Sequence, residues 1–376
     1  MRICFIIEFY PPHIGGGETL FKTLAEGLAE HGHQCDVITC RLPGTKKYEV
    51  KNGVKIHRVS VPRFADRYWF TFLAVYKSII ISHDADIIHT MTYNGAFPAW
   101  LASKVNKKRI VMIAHEVLGK KWYKFGFGRL AATMYRFFEW FVLFLKYDAY
   151  MCNSKNTMKL LENWGIPIEK LHLTYPGIDY KLFDYRKEEK RHKLRERLGV
   201  KDNVFLYMYH GRPGMIKGVE YLVRAVPEIK KQIQNSKLLL VLAKKPAVKY
   251  QEIIEIIRKK NLDVILIDPL PHEELPYYIA ASDCVVVPSL NEGFGFTCVE
   301  ACTMKKPVVA TNVGSLPEVI FGRHVLVLPK SPEELARGVI SIYKGEYNEI
   351  DEKRYEWEAF IKKHMIVYMK LLENIN

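Results

Sequence analysis

The feature that most constrains this chain is a repeated alternation of short, continuously apolar runs with longer helix-patterned stretches. In the first half the apolar runs end near Glu8, Cys40, Thr90, Ala114 and Cys152, and segments such as Glu18–His31 and Phe127–Lys146 lie between them. A strand with water on one face alternates apolar and polar residues, whereas a strand that is apolar throughout is buried on both faces. Helices between such strands cover both faces of the sheet and carry the chain back to start the next strand parallel to the last. The pattern predicts an α/β fold with doubly wound sheets. At 376 residues the chain is long enough for two domains, each with its own core. Its 49% apolar content is that of a globular protein and excludes a disordered or fibrous one.

The alternation is interrupted once. Tyr175–Asp179 reads Tyr-Pro-Gly-Ile-Asp, a turn, and Tyr185–Leu198 is dense in Lys, Arg and Glu, as in a solvated helix after a domain crossover. A second series of strands then begins at Asn203–His210 and continues at Lys237–Leu242, Asp263–Ile267, Asp283–Val287, Pro307–Ala310 and Val325–Leu328. Two Rossmann-like domains follow, residues 1–178 and 179–354. In such sheets ligands bind beyond the carboxyl ends of the strands, where helix N-termini aim amides at anions. A cleft between two facing domains is the expected site.

Lys and Arg number 56 against 41 Asp and Glu, a formal charge of +15. That balance favours an anionic partner: nucleic acid, an anionic lipid surface or a phosphorylated small molecule. The seven cysteines have no zinc spacing and read as free thiols of a reducing compartment, with Cys298 and Cys302 on one helix face. The first apolar run is too short for a signal peptide, and no stretch reaches the roughly 18 apolar residues of a membrane span. A cytoplasmic location is expected.

Three segments at strand ends carry chemistry. Gly15-Gly16-Gly17-Glu18 follows the first strand and precedes the first helix. Glycines there let backbone approach a phosphate at a helix N-terminus, although a plain tight turn has the same composition. It is not G-x-G-x-x-G, and no acid follows the second strand in a ribose-binding place, so NAD is disfavoured. In His210–Gly218 one loop carries Arg212 and Lys217, a fork and a point charge suited to a leaving diphosphate, or simply a solvated basic pair. Ser289–Glu300 is the most specific. Glu292 lies in a loop with Gly293, Phe294 and Gly295, whose amides can meet sugar hydroxyls or a diphosphate, and Glu300 is expected about two turns into the next helix. The plainer alternative has Glu292 capping that helix and Glu300 on the surface.

Together these segments resemble the family-4 glycosyltransferases, the retaining GT-B group. The ordered set covers nearly the whole chain: Pro12–Glu18, Asp86–His89, His115, Asn153-Ser154, Pro176–Asp179, Gly211–Gly218, Glu273–Leu275, Glu292–Glu300, Gly314–Glu318 and Trp357. The resemblance implies two Rossmann-like domains facing across a cleft, an acceptor-side domain of residues 1–178 rejoined by a C-terminal helix at 355–376, and a donor-side domain of 179–354. It implies a metal-independent enzyme without cofactor that moves a hexose or N-acetylhexosamine from a UDP- or GDP-type nucleotide sugar. By the same resemblance Glu292 would hold hydroxyls of the donor sugar and Glu300 the ribose. Arg212 and Lys217 would bind the diphosphate, with Gly16 and Gly17 closing on it, and His115 would face the reacting carbon.

The chain departs from the family in three places. Asp268 stands where a glycine is usual beside the base pocket, Ser315 replaces a second glycine after Gly314, and Gly322–Leu328 lacks the family's usual glycine before the late strand. Asp84-Ala85-Asp86 reads as a strand-start acid rather than a metal-binding DxD. Lys120–Lys146 has six basic residues, one acid and many aromatics. It reads as a packed helix, Leu130–Leu145, with a basic-aromatic rim at Lys120–Arg129 and Arg63–Phe72 that suits an anionic membrane surface. A lipid-linked or membrane-surface acceptor is therefore expected, at the cytoplasmic face. A soluble sugar or sugar-phosphate acceptor and a nucleotide-sugar epimerase of similar fold stay open. A nucleic-acid partner is not expected, because no recognition motif for one is present.

Overall fold

The computed structural model describes residues 1–13 and 15–373, so Ile14, in the first glycine-rich segment, and residues 374–376, at the end of the expected last helix, lie outside the described residues. The chain forms two compact units, Met1–Gly177 with Tyr355 onward, and Ile178–Arg354.

The first unit holds β1 (Arg2–Ile6), β2 (Gln34–Cys40), β3 (Tyr48–Lys51), β4 (Val54–Val59), β5 (Ile87–Met91), β6 (Arg109–Ala114), β7 (Ala149–Cys152) and β8 (Leu171–Leu173). They form one sheet in the order β3-β4-β2-β1-β5-β6-β7-β8, parallel except for the β3–β4 edge pair. Both faces are buried, as the apolar runs require. Ile3 and Phe5 point into one apolar cluster with Leu20, Phe21 and Leu24, while Cys4 and Ile6 point into another with Ile38, Ile88 and Met112.

The second unit holds β9 (Phe205–Gly211), β10 (Ser236–Leu242), β11 (Val264–Ile267), β12 (Cys284–Val287), β13 (Val308–Thr311), β14 (Gly322–Val327) and β15 (Asn348–Ile350). Their order is β11-β10-β9-β12-β13-β14-β15, with only β15 antiparallel. Strands β3, β4, β8 and β15 were not expected from the sequence. β3 and β15 are exposed edges with no apolar run, β8 has three residues, and β4 alternates buried and exposed positions. Among the described residues no helix is long and apolar enough to cross a membrane.

The charged stretch Tyr185–Leu198 is helical from Arg191 and mostly exposed, as expected of a solvated helix, except at the buried Leu194 and Arg195. It is a 3-10 turn at Tyr185–Lys190 followed by the helix Arg191–Arg197. Arg195 in it is 1% exposed. Its guanidinium donates to the carbonyls of Ala281 at 2.9 Å and Lys201 at 2.9 Å and pairs with Asp283 at 3.3 Å. Arg can be buried when its planar fork finds this many acceptors.

The helix Trp357–Glu373 packs on the first unit, burying Phe360, Ile361, Val367 and Tyr368 among the side chains of β1 and the helix Gly16–Glu30. Two glycines permit this. A Cβ at Gly27 would lie 2.3 Å from Cδ1 of Ile361, and one at Gly177 would lie 2.2 Å from the backbone nitrogen of Trp357. Between sheet and helix lie two histidines. His89 is hydrogen-bonded through Nδ1 to the Tyr368 hydroxyl, and His364 Nδ1 donates to the Phe360 carbonyl at 2.8 Å. Their rings stack at 5.5 Å, and neither Nε2 has a hydrogen-bond partner among the described residues.

Burial pushes both imidazoles down, His364 to about 4. In the unfolded chain each binds a proton at about pH 6.5. Between those values the unfolded state holds more protons, so stability is complete above about pH 6.5 and is lost as the pH falls towards 4. For His364 the loss reaches about 3 kcal/mol. Chemical denaturation across this range should show that slope, and His364→Gln should flatten it. An unchanged slope in the variant would rule out His364 as its source.

Candidate active site

In the first unit the chain reverses its direction of travel across the sheet between β1 and β5. Gly17 and His115 lie at the carboxyl ends of β1 and β6. Gly16 and Gly17 are the first residues of the helix Gly16–Glu30, not a loop before it, and Gly15 is its extended N-cap. A Cβ on Gly17 would lie 3.1 Å from Cε of Met91 and 3.5 Å from Nε2 of His115, so the glycine keeps backbone close to the imidazole. The His115 amide donates to Oγ1 of Thr92 at 3.3 Å, and its ring stacks on Tyr93 at 6.5 Å. Its Nε2 is shut from solvent with no hydrogen-bond partner among the described residues. Burial pushes the imidazole down to about 4, so it is neutral at pH 7. Glu18 lies in the first turn of the helix, hydrogen-bonded to Nδ1 of His13 at 2.7 Å. The helix end expected to meet a diphosphate thus already carries one carboxylate.

In the second unit the reversal falls between β9 and β12, and the residues expected in function lie on loops at this point and one strand beyond it. The loop after β9 carries Arg212, which is exposed, and Lys217. A Cβ on Gly218, at φ 63°, would lie 2.1 Å from the Pro288 carbonyl oxygen, so this loop touches the one after β12. Glu292 on that second loop is 7% exposed. Its Oε1 accepts from Nζ of Lys217 at 2.7 Å and from Oγ of Ser289 at 2.7 Å. Its carbonyl accepts from the amide of Ser315 at 3.1 Å and from Oγ of Ser315 at 3.3 Å. Ser315, a departure from the family pattern, thus helps to hold the loop. Glu292 does not cap the next helix; Gly295, at φ 89°, is its N-cap.

Glu300 is the fifth residue of the helix Phe296–Thr303, one turn in rather than two, because Gly293–Gly295 stay outside the helix. It is 7% exposed and not a surface residue. His272 Nε2 lies 3.4 Å from its Oε1 and His210 Nε2 lies 3.7 Å from its Oε2. The bond to Glu300 lifts His272 above the usual histidine range, while burial pushes the enclosed His210 down. Neither histidine was singled out from the sequence, because each lies far from Glu300 along the chain. Of the other positions weighed, Asp268 pairs with Lys244 at 2.9 Å on the surface. Asp86 accepts from the Arg2 amide at 2.7 Å and Asp84 pairs with the Arg2 guanidinium at 3.1 Å, so both acids fix the start of β1. Cys298 and Cys302 share the helix Phe296–Thr303, and all seven cysteines are free and buried.

Gly314 is held where only glycine fits. Its φ is 56°, and a Cβ would lie 2.3 Å from the carbonyl oxygen and 2.7 Å from the nitrogen of Glu292. Gly322 has a similar φ of 64° with nothing within 4 Å of its Cβ position. Gly322→Ala should therefore cost only the left-handed strain, roughly 1–2 kcal/mol. Gly314→Ala should cost clearly more, because backbone must move. Thermal melts of the two variants measure the difference, and equal losses would mean that the Glu292 loop is not held against Gly314.

Two family profiles match in tandem: Glycosyltransferase Family 4 over residues 14–182 and Glycosyl transferases group 1 over residues 189–364. An uncharacterized glycosyltransferase of Methanocaldococcus jannaschii is 28% identical over 99% of both chains. The D-inositol 3-phosphate glycosyltransferase of Corynebacterium diphtheriae is 25% identical over 84% of this chain and 78% of its own. Among solved structures, the sucrose-phosphate synthase of Thermosynechococcus elongatus superposes with a TM-score of 0.82, at 22% identity and 99% coverage of both chains. An Anabaena protein, HepE, solved in complex with UDP, superposes with a TM-score of 0.72 at 19% identity, covering 100% of this chain and 98% of that one. The tandem profiles, the two doubly wound sheets and these structural neighbours agree: the chain belongs to the family-4 glycosyltransferases of GT-B fold.

Proposed function

We propose that the protein is a retaining, metal-independent transferase that moves a hexose or N-acetylhexosamine from a nucleotide-diphosphate sugar to an acceptor presented at a membrane surface, in glycolipid, glycan or polysaccharide synthesis. The observation that carries this reading is the pair of the half-buried Lys217 with the buried Glu292 at 2.7 Å, an ammonium and a carboxylate side by side at a topological switch point. Glu292 offers acceptor oxygens to hydroxyls of the donor sugar and negative charge to its anomeric carbon. Lys217 and Arg212 stabilise the diphosphate as it takes the bonding electrons. Glu300, between His210 and His272, accepts from the ribose hydroxyls. Gly16, Gly17 and the amides of Gly293, Phe294 and Gly295 offer donors to phosphate and sugar, and His115 meets the sugar with a neutral imidazole.

In the proposed reaction the bond from anomeric carbon to phosphate oxygen breaks. The acceptor hydroxyl attacks from the same face and its proton passes to the leaving phosphate. The reading gives no carboxylate of the family pattern the role of a base on the opposite face, and it has positive side chains take the part a metal plays elsewhere. UDP-sugars are the first donors to test, since HepE was solved with UDP and with UDP-glucose. A second reading, a small phosphorylated polyol as acceptor, is favoured by the relatives named D-inositol 3-phosphate glycosyltransferase.

A nucleotide sugar found by thermal shift should support turnover in EDTA. Glu292→Ala and Lys217→Ala should each lower kcat. Glu300→Ala should mainly weaken donor binding, by about tenfold or more for a lost bond to a charged group. Wild-type kinetics in all three would remove the site assignment, and activity that disappears in chelator and returns with manganese would remove the metal-free mechanism. Proton NMR of the first-formed product tests the stereochemistry: an α-linked donor should give an α linkage, and a β linkage would overturn the same-face route.

A further inference from the structure

The helix Arg129–Phe144 has two apolar faces. One packs into the first unit through Ala132, Val142 and Leu143. The other carries Leu130, Met134, Phe137, Trp140 and Phe144, all exposed, Leu130 at 78% and Phe137 at 63%. Their spacing of four, three, three and four residues makes one continuous stripe along the helix. Phe137 stacks on Trp140 at 5.6 Å and Trp140 on Phe144 at 5.3 Å, so the stripe is an ordered surface.

A second helix, Asp66–Leu73, extends it. Trp69 and Phe72 are exposed there, and Tyr76 follows at 76% exposure. The two helices are bridged by Phe97, whose ring lies 6.4 Å from Phe72 and 5.9 Å from Phe141. Isolated exposed apolar residues are ordinary, but a contiguous patch of this kind marks an interaction surface.

The charge around the patch selects the occupant. Lys120, Lys124, Arg129 and Lys146 are exposed beside it. The one acid of the segment, Glu139, is turned inward. Its carboxylate accepts from the amides of Leu118 at 2.6 Å and Gly119 at 2.7 Å and fixes the Gly119–Lys124 turn against the helix. The segment therefore offers cations and aromatic rings outward and no carboxylate. A second copy docked on this face would set like charges against each other. A bilayer takes them on its phosphates and takes Trp and Tyr at headgroup depth.

We propose that this face of the first unit docks on an anionic lipid bilayer, with the helix Arg129–Phe144 lying in the interface plane and its stripe entering the acyl boundary. The proposal deepens the membrane-acceptor reading and rests on it for its purpose, while the contact itself is measurable without turnover. The full chain is sedimented with vesicles of phosphatidylcholine plus phosphatidylglycerol, and with phosphatidylcholine alone. The protein should pellet with the anionic vesicles, less so at high salt, with a blue shift of tryptophan emission. Phe137→Glu with Phe144→Glu should lower vesicle partition at least about tenfold. Lys120→Glu with Arg129→Glu should remove most of the salt dependence. Both double variants should keep the wild-type circular dichroism and the wild-type thermal shift with UDP. Wild-type protein left in the supernatant overturns the proposal, as does a Phe137/Phe144 variant that pellets like wild type. A patch that instead holds a dimer, dissolved by the same variant in analytical ultracentrifugation, also overturns it. Any of these results with the UDP shift intact leaves the transferase reading standing; loss of the UDP shift in wild type touches that reading alone.

Discussion

A carboxylate shut away from water must find its counter-charge and its donors inside the fold, and Glu292 is the group on which the site of the second unit depends. Its partners come from three loops. Lys217 follows β9, Ser289 follows β12, and Gly314-Ser315 follow β13. These strands are neighbours in the sheet, so one side chain and its carbonyl tie together the carboxyl ends of three strands on both sides of the reversal point. Removing Lys217 would leave the buried carboxylate without its counter-charge, which is the costly way to break an ion pair. The close approach also explains the glycines around it. Gly218 and Gly314 each bring backbone within a Cβ's reach of a neighbouring carbonyl, at 2.1 and 2.3 Å, distances that no side chain tolerates.

The sheets were legible because burial on both faces writes a continuous apolar run, as in Ile3–Ile7 and Cys284–Val287, which needs no tertiary information to recognise. Edge strands write no such run. Tyr48–Lys51 and Asn348–Ile350 are exposed and polar and become strands only because a partner offers its free edge. The helix Arg191–Arg197 is solvated as its charge predicts, with one exception that local sequence does not show, the buried Arg195. Charge density says solvent unless acceptors are known to wait nearby, and the carbonyls that hold Arg195 come from residues 201, 204 and 281. Within the candidate site, Lys217 and Glu292 could be named from the ordered motifs. That they form a pair could not, and neither could the flanking of Glu300 by His210 and His272, because contacts between distant residues leave no mark in local spacing.

The same limit applies to the helix Arg129–Phe144. Its sequence is apolar almost all round, which reads as burial, and the basic residues at its start read as a rim. Only the structure separates the packed face from the outer stripe. The separation turns on Glu139. On a solvated helix an acid among cations would point outward and pair with them; here it is spent on two backbone amides, and the outward field stays positive.

Pairing between Lys217 and Glu292 and a clamp on a diphosphate are compatible demands on one ammonium. A lysine carries three donors, and a single hydrogen bond from Nζ, to Glu292, is formed among the described residues. The side chain is 29% exposed, so the ammonium is within reach of solvent. Under the proposed function, a diphosphate beside the pair would add more negative charge than Lys217 could offset while it also serves Glu292, and Arg212, exposed on the same loop, would be the cation left to supply the balance. The fixed carboxylate therefore does two things before any donor arrives. It holds the ammonium in place, so that little side-chain entropy would be lost on binding a diphosphate, and it offsets the charge of the lysine beside it.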